Sequence, residues 1–405
     1  MSELIDNREK RVQELLAVSR GIIQGQDAKQ LIEQHREAIE NLTPHDMLAM
    51  EDRQLQMGIT PQVIKQSIEK VIGVFFKSLE RYPWERPAPD TFLGHLIQEN
   101  RALADKLQQV KTVLKRCHGS EESSFPAMRL ELLPLFLELR AFESHYVKKE
   151  NILFPYLEKR WENHRPIAVM WSLHDDIRKK LKGVIAVLER SDSSWQEFNS
   201  PMSQYFFLVF GMIQKENLVV YPVATETLAA EDWQAMYQQS FDYPFPFLET
   251  PQQKEDGNPL QAGTGAHEGD DFFVSDTGRM NYEQLVLLFN HLPVDITFVD
   301  EYDQVRFFNR AKDRFFPRSP AIVERNVKNC HPPESVHIVE KIVSEFKNGN
   351  RNEADFRIKM KGRYILIRYV AVRDPDSTYR GVLEISQDIT DIVAMTGEKR
   401  LLDWA

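Results

Sequence analysis

The run His145-Tyr-Val-Lys-Lys-Glu-Asn-Ile-Leu-Phe-Pro155 places an imidazole and a carboxylate on one amphipathic segment. An apolar plug follows, then a proline expected to stop the helix. A second run, Gln214-Lys-Glu-Asn-Leu-Val-Val-Tyr-Pro222, repeats the Lys-Glu-Asn triplet ahead of another apolar patch and proline. His95, in Gly-His-Leu-Ile-Gln-Glu-Asn100, and His174, in Trp-Ser-Leu-His-Asp-Asp176, lie on two further helical segments. One histidine or acid from each of four helices, meeting in a bundle core, is how carboxylate-bridged iron sites are assembled.

The elements that would position these residues fit a multidomain chain. Its 405 residues exceed one ordinary core. A formal charge of −10 leaves no basic stripe for phosphates, so nucleic acid is not expected as a partner. No apolar run approaches the ~20 residues that span a bilayer, and the polar start lacks a signal-peptide core. The two cysteines, Cys117 and Cys330, fit a reducing compartment without structural disulfides. The expected location is the cytoplasm, with no membrane partner.

In chain order, residues 1–82 read as an N-terminal helical domain. Thr43-Pro44 and Thr60-Pro61 each place a cap hydroxyl before a proline at the first helical position, and Met57-Gly58 stops the helix between them. Ile64, Ile68, Val71, Ile72 and Phe75 follow helical spacing and predict one buried face. His35 and His45 read as surface residues. Three prolines between Tyr82 and Asp90 predict a stiff linker. Residues 90–241 predict a four-helix bundle, with helices over 92–117, 128–159, 166–190 and 203–221 and a short cap over 232–240. Residues 242–278, rich in proline and glycine, predict a flexible linker. Residues 279–395 predict an α+β domain: an amphipathic helix, a hairpin over 295–309, a helical middle and three antiparallel strands over 354–360, 364–372 and 381–388. Residues 396–405 form the tail, and Ile392 to Trp404 is amphipathic enough for a short docking helix.

These residues resemble a known domain string. The central region is similar to the hemerythrin-like, or HHE, cation-binding bundle, for which a His-aromatic-x-x-acid-acid-x-x-Leu-Phe-Pro pattern is typical. The C-terminal region resembles a PAS domain through Leu292-Pro-Val-Asp-Ile-Thr-Phe-Val-Asp300, Phe308-Asn-Arg-Ala311, Asn329-Cys-His-Pro-Pro333 and Gln387-Asp-Ile-Thr390. Leu42-Thr-Pro-His-Asp-Met47 and Met57-Gly-Ile-Thr-Pro-Gln62 resemble the small helical domain that precedes both in the family called domain of unknown function 438. The fold class implied is an all-α N-terminal region and four-helix bundle, then an α+β PAS domain with an antiparallel sheet.

The resemblance implies a non-haem iron centre, carried over to His95, Glu99, His145, Glu150, His174 and Glu216; imidazole and carboxylate also suit zinc or manganese. Two departures stand out. The acid usual one turn after the second-helix histidine is Lys149 here, and Lys215 holds the equivalent place in the fourth helix. Glu150 is five residues past His145, about 140° round a regular helix, and reaches the same site only through an overwound or bulged turn. Two readings therefore stand: one ion or an asymmetric pair, or buried histidines hydrogen-bonded to Glu150 and Glu216. Asp175 or Asp176 is a further candidate, as an acid that orients His174.

In the PAS-like region, Ile296, Phe298, Phe307, Ile365 and Ile367 read as core by alternation. Cys330-His331-Pro332-Pro333 is the sharpest local oddity, since a thiolate or imidazole there could ligate haem. The favoured reading is a rigid loop with a buried thiol. No phosphate loop, Cys-x-x-Cys pair or Gly-x-Ser-x-Gly elbow occurs. Fifteen residues follow Thr390, so any signal is expected to leave through a protein partner or through self-association of the PAS domain. The functional expectation is a sensor or regulatory protein responding to a gas, redox, metal or small-molecule signal, with enzymatic activity left open. The alternatives are a non-haem iron protein handling NO, O2 or peroxide in iron–sulfur repair, and an adaptor with a decayed metal site.

Overall fold

Start and stop chemistry sets the first helices: α1 (Ser2–Ile23), α2 (Ala28–Gln34), α3 (Arg36–Glu40), α4 (Pro44–Gln56) and α5 (Pro61–Arg81). The Thr43 hydroxyl accepts from the Asp46 amide while the Asp46 carboxylate accepts from the Thr43 amide, closing a capping box ahead of Pro44. Thr60 makes no such bond, so Pro61 alone starts α5. Gly58 ends α4 with φ of 81°, a left-handed conformation that costs glycine little.

The computed structural model describes residues 2–116, 119–251, 272–275, 277–312 and 314–397, and the side chains of 2–6, 66, 68 and 69 lie outside that description. Cys117, the Ile68 side chain, residues 252–271 of the expected linker and the tail beyond 397 therefore fall outside it. The chain divides into two units, Met1–Gln253 and Lys254–Ala405.

In the first unit, α6 (Phe92–Arg116), α7 (Glu121–Glu138), α8 (Glu143–Lys148), α9 (Phe154–Arg160), α10 (Pro166–Glu189) and α11 (Trp195–Lys215) build the bundle, and α12 (Tyr221–Thr227) and α13 (Ala230–Ser240) complete it. A 3-10 turn over Leu139–Phe142 and a π turn over Lys149–Leu153 join α7, α8 and α9 without a break. A second π turn, Glu216–Val220, joins α11 to α12. Ile64, Val71, Ile72 and Phe75 are buried, as their spacing predicts.

The apolar side chains of residues 1–82 and those of the bundle form one continuous core. Ion pairs cross between the same two regions. Lys65 reaches Asp176 at 2.5 Å, Lys215 reaches Glu51 at 2.6 Å and Arg165 reaches Asp52 at 2.9 Å. The start of the expected linker range also packs. Tyr243 and Phe245 are buried on the bundle and Phe247 stacks on Phe142, because three aromatics in five residues have apolar surface to hide.

Among the described residues the second unit opens with the hairpin β1 (Phe272–Ser275) and β2 (Gly278–Asn281), which straddles the end of the expected linker range, followed by α14 (Tyr282–His291). Then come β3 (Asp295–Asp300), β4 (Val305–Phe308), α15 (Val336–Lys347), β5 (Glu353–Met360), β6 (Arg363–Arg373), β7 (Tyr379–Asp388) and α16 (Thr390–Ala394). The sheet is antiparallel, in the order β4-β3-β7-β6-β5. Lys361 and Gly362, both with positive φ, turn β5 into β6. Ile296, Ile365 and Ile367 are buried as expected, and Phe298 and Phe307 are half-buried.

Candidate functional site

Pro155 and Pro222 do not stop their helices; each follows a π turn. A proline has no amide hydrogen and its ring collides with the carbonyl four residues back. Just before each proline the ladder changes step. The amides of Phe154 and Tyr221 donate five residues back, to the carbonyls of Lys149 and Glu216. The helix absorbs the proline and continues.

That local bulge decides where the charges go. Lys148, Lys149 and Glu150 are three consecutive buried residues, exposed 1%, 0% and 5%. Each reaches a different neighbour. The Lys148 ammonium donates to Glu99 on α6, and the Lys149 ammonium donates to Glu216 at the end of α11. Glu150 accepts from Arg178 on α10 at 3.0 Å and lies 2.7 Å from His174 Nδ1. The bulged turn required for Glu150 to face inward is present, but Glu150 joins a different cluster from His145.

The first cluster holds Glu99, His145 and Glu216. His145 Nδ1 lies 2.7 Å from Glu99 Oε2, and its Nε2 lies 3.4 Å from Glu216 Oε2. Asn100 Nδ2 and the Tyr221 hydroxyl donate to the same Glu216 oxygen at 2.7 and 2.9 Å. Each carboxylate thus has one oxygen on an ammonium and the other on His145. Burial works to raise the Glu216 carboxyl, but the Lys149 ammonium and the His145 imidazole overcome it and hold it well below the usual carboxylate range. Burial draws both ammoniums down from the ordinary lysine range, and the same two carboxylates oppose that. Burial and then Glu216 push the Tyr221 phenol well up, which keeps it a donor.

The second cluster holds His174, Glu150 and Arg178. Arg178 also reaches Glu143 and Asp175, each at 2.9 Å. Burial, followed by Lys149 and Arg178, keeps His174 well below its ordinary value, and burial pushes Glu150 up to about 7 against the pull of Arg178. Glu150 is the acid on His174 Nδ1, and Asp176 pairs with Lys65. His95 joins neither cluster. It lies between Tyr237 and Phe245, ring centroids 6.0 and 5.1 Å away, and its Nδ1 has no partner. His174 Nε2 is likewise unpartnered, against the Tyr146 and Phe154 rings.

The six predicted ligands do not fit a bound cation. A metal needs free lone pairs aimed at one point. Here the carboxylate oxygens are taken by protein donors, and the two free imidazole nitrogens sit in separate aromatic cages. Among the described residues no three of His, Cys, Asp and Glu converge in that way. Sequence reasoning missed Lys148, Asn100, Tyr221, Arg178 and Phe245. The repeated Lys-Glu-Asn triplets and the tyrosine before Pro222 were the available signals.

In the second unit Cys330 and His331 part company. Cys330 is buried among Val299, Val305, Ile322 and Val339, its thiol donating to the Asn326 carbonyl at 3.7 Å. The Cys330 thiol thus lies in the apolar core of this unit. His331 is half-buried, within electrostatic reach of Arg318 and Arg325. Thr297, Glu384 and Tyr369 stand opposite one another on β3, β7 and β6, on the sheet face that buries Ile365, Ile367 and Val382. Arg318 lies 3.8 Å from Glu384 with its side chain 11% exposed, and its buried Nε has no partner. Burial, then Arg318 and Arg325, pushes His331 down to about 4.

A stability prediction follows from that shift. Between its ordinary value of 6.5 and about 4, His331 binds its proton in the unfolded chain but not in the folded one. Stability is therefore lost as pH falls through this window, by about 1–3 kcal/mol after allowing for partial exposure. His331→Gln is expected to flatten that acid limb for the second unit, measured by denaturant unfolding at each pH.

Comparison with known proteins matches these features. The family model described as hemerythrin HHE cation binding domain matches residues 91–224, and one described as PAS domain matches residues 285–390. Among solved structures, a C-terminal domain from Streptococcus mutans is 33% identical over 31% of this chain and 97% of its own, with TM-score 0.30. The PAS domain of a Colwellia psychrerythraea protein is 19% identical over 27% and 97%, TM-score 0.22. A sensory box sensor histidine kinase from Vibrio cholerae is 15% identical over 27% and 92%, TM-score 0.21. No match is found among curated proteins. No helix among the described residues is long and apolar enough to cross a membrane. The chain thus combines a hemerythrin HHE domain over residues 91–224 with a PAS domain over residues 285–390.

Proposed function

We propose that this chain is a cytoplasmic sensor-type regulatory protein whose PAS domain takes a small anionic ligand into its interior. The observation that carries this reading is Arg318. A guanidinium mostly out of water, with an unpartnered Nε and its nearest carboxylate at 3.8 Å, has donor capacity left over. Tyr369 and His331 supply further polar atoms, and a carboxylate or phosphate is the group that an arginine fork recognises. The output is association with another protein, for which Leu287 and Leu288 stand exposed on α14. The alternative in which bundle iron handles NO, O2 or peroxide draws less support, because ion pairs occupy its donor set.

The test is to denature purified full-length protein and identify released small molecules by mass spectrometry. About one anionic molecule per chain is expected, and Arg318→Met is expected to lose it while keeping the fold. If nothing is released, and no small carboxylate or phosphate ester raises the melting midpoint, the proposal fails.

A further inference from the structure

Glu99 and Glu216 are buried, exposed 0% each, and buried carboxylates need compensating cations. The bundle supplies those cations from one helical turn. Lys148 and Lys149 place one ammonium on each carboxylate, and His145 bridges the two acids between them. Aromatic faces close the remaining side of each ammonium. Lys148 Nζ lies 4.2 Å from the Phe245 ring centroid and Lys149 Nζ lies 5.0 Å from that of Tyr146.

We infer that the Lys148 and Lys149 ammonium groups are built-in replacements for a bound cation pair, and that Lys149 keeps metal out of this bundle. An entering cation would meet two like charges on buried side chains, where repulsion is least screened. It would also have to strip donors from both Glu216 oxygens and from Glu99. The π turn that begins at Lys149 is part of the device, since two consecutive lysines reach carboxylates on two different helices, Glu99 on α6 and Glu216 at the end of α11. PAS ligand binding plays no part in it, so the two proposals stand or fall separately.

The experiment uses full-length protein expressed in medium supplemented with iron, zinc and manganese. Elemental analysis is expected to find under about a tenth of an equivalent of metal per chain, with a melting midpoint unmoved by chelator or by added Fe(II), Zn(II) or Mn(II). Lys149→Glu removes one ammonium and adds a carboxylate beside Glu216. This variant is expected to bind about one equivalent, with a midpoint that rises roughly 5 °C or more on metal addition and falls again with chelator. A Lys149→Glu protein that folds only in the presence of metal supports the inference equally. Should it neither fold nor bind, Lys149→Gln decides: metal-dependent stabilisation supports the exclusion role, and its absence overturns it. Wild-type protein that retains an equivalent of metal through dialysis, or melts earlier with chelator, overturns the whole inference.

Discussion

Lys149→Met is expected to destabilise the helical unit by about 3–5 kcal/mol, because it leaves a buried carboxylate without its cation. Lys149 is fully buried, as is its partner Glu216. Donors from Asn100, Tyr221 and His145 remain, so the loss falls toward the lower end of that range. The second substitution, Glu216→Gln on the Lys149→Met background, removes the orphaned charge and is expected to recover most of the stability. Denaturant unfolding of the four proteins completes a double-mutant cycle. A coupling energy of about 2 kcal/mol or more is expected; additive effects would mean that the two groups do not hold each other. Isolated ion pairs of this kind add little against an apolar pair of the same shape, so rescue is the informative arm of the cycle.

Lys215→Met is expected to cost about 3 kcal/mol by a parallel route, with the loss felt in a different place. Lys215 directly precedes Glu216, yet its ammonium points outward from the bundle core to Glu51 on α4, the two side chains 3% and 8% exposed. Losing it strands Glu51 between α4 and α11. The N-terminal helices share the bundle core and hold it also through Lys65–Asp176 and Arg165–Asp52. Wild-type protein is therefore expected to melt residues 1–253 in one calorimetric transition. In Lys215→Met, and more so with Lys65→Met added, hydrogen exchange is expected to show the amides of α4 and α5 opening before those of α10 and α11. Equal protection loss across the unit would contradict this view of the seam.

Much of this protein was determined by local chemistry and was legible as such. Helical periodicity, Pro-led helix starts and the alternation in β3 and β6 mark the bundle and the PAS sheet, because each depends on residues a few positions apart. The Lys149 substitution and the need for a bulged turn at Glu150 were also readable, since both follow from spacing along one helix. Only the tertiary structure decided which charge meets which. Lys148 finds Glu99 across 49 positions, Lys149 finds Glu216 across 67, and Lys215 finds Glu51 across 164. No periodicity encodes such pairings. The same holds for Phe245, which reads as linker in sequence and closes the Lys148 site in space. The fate of a buried charge depends on which opposite charge and how little water lie within a few ångströms, and that is fixed only when the helices have packed.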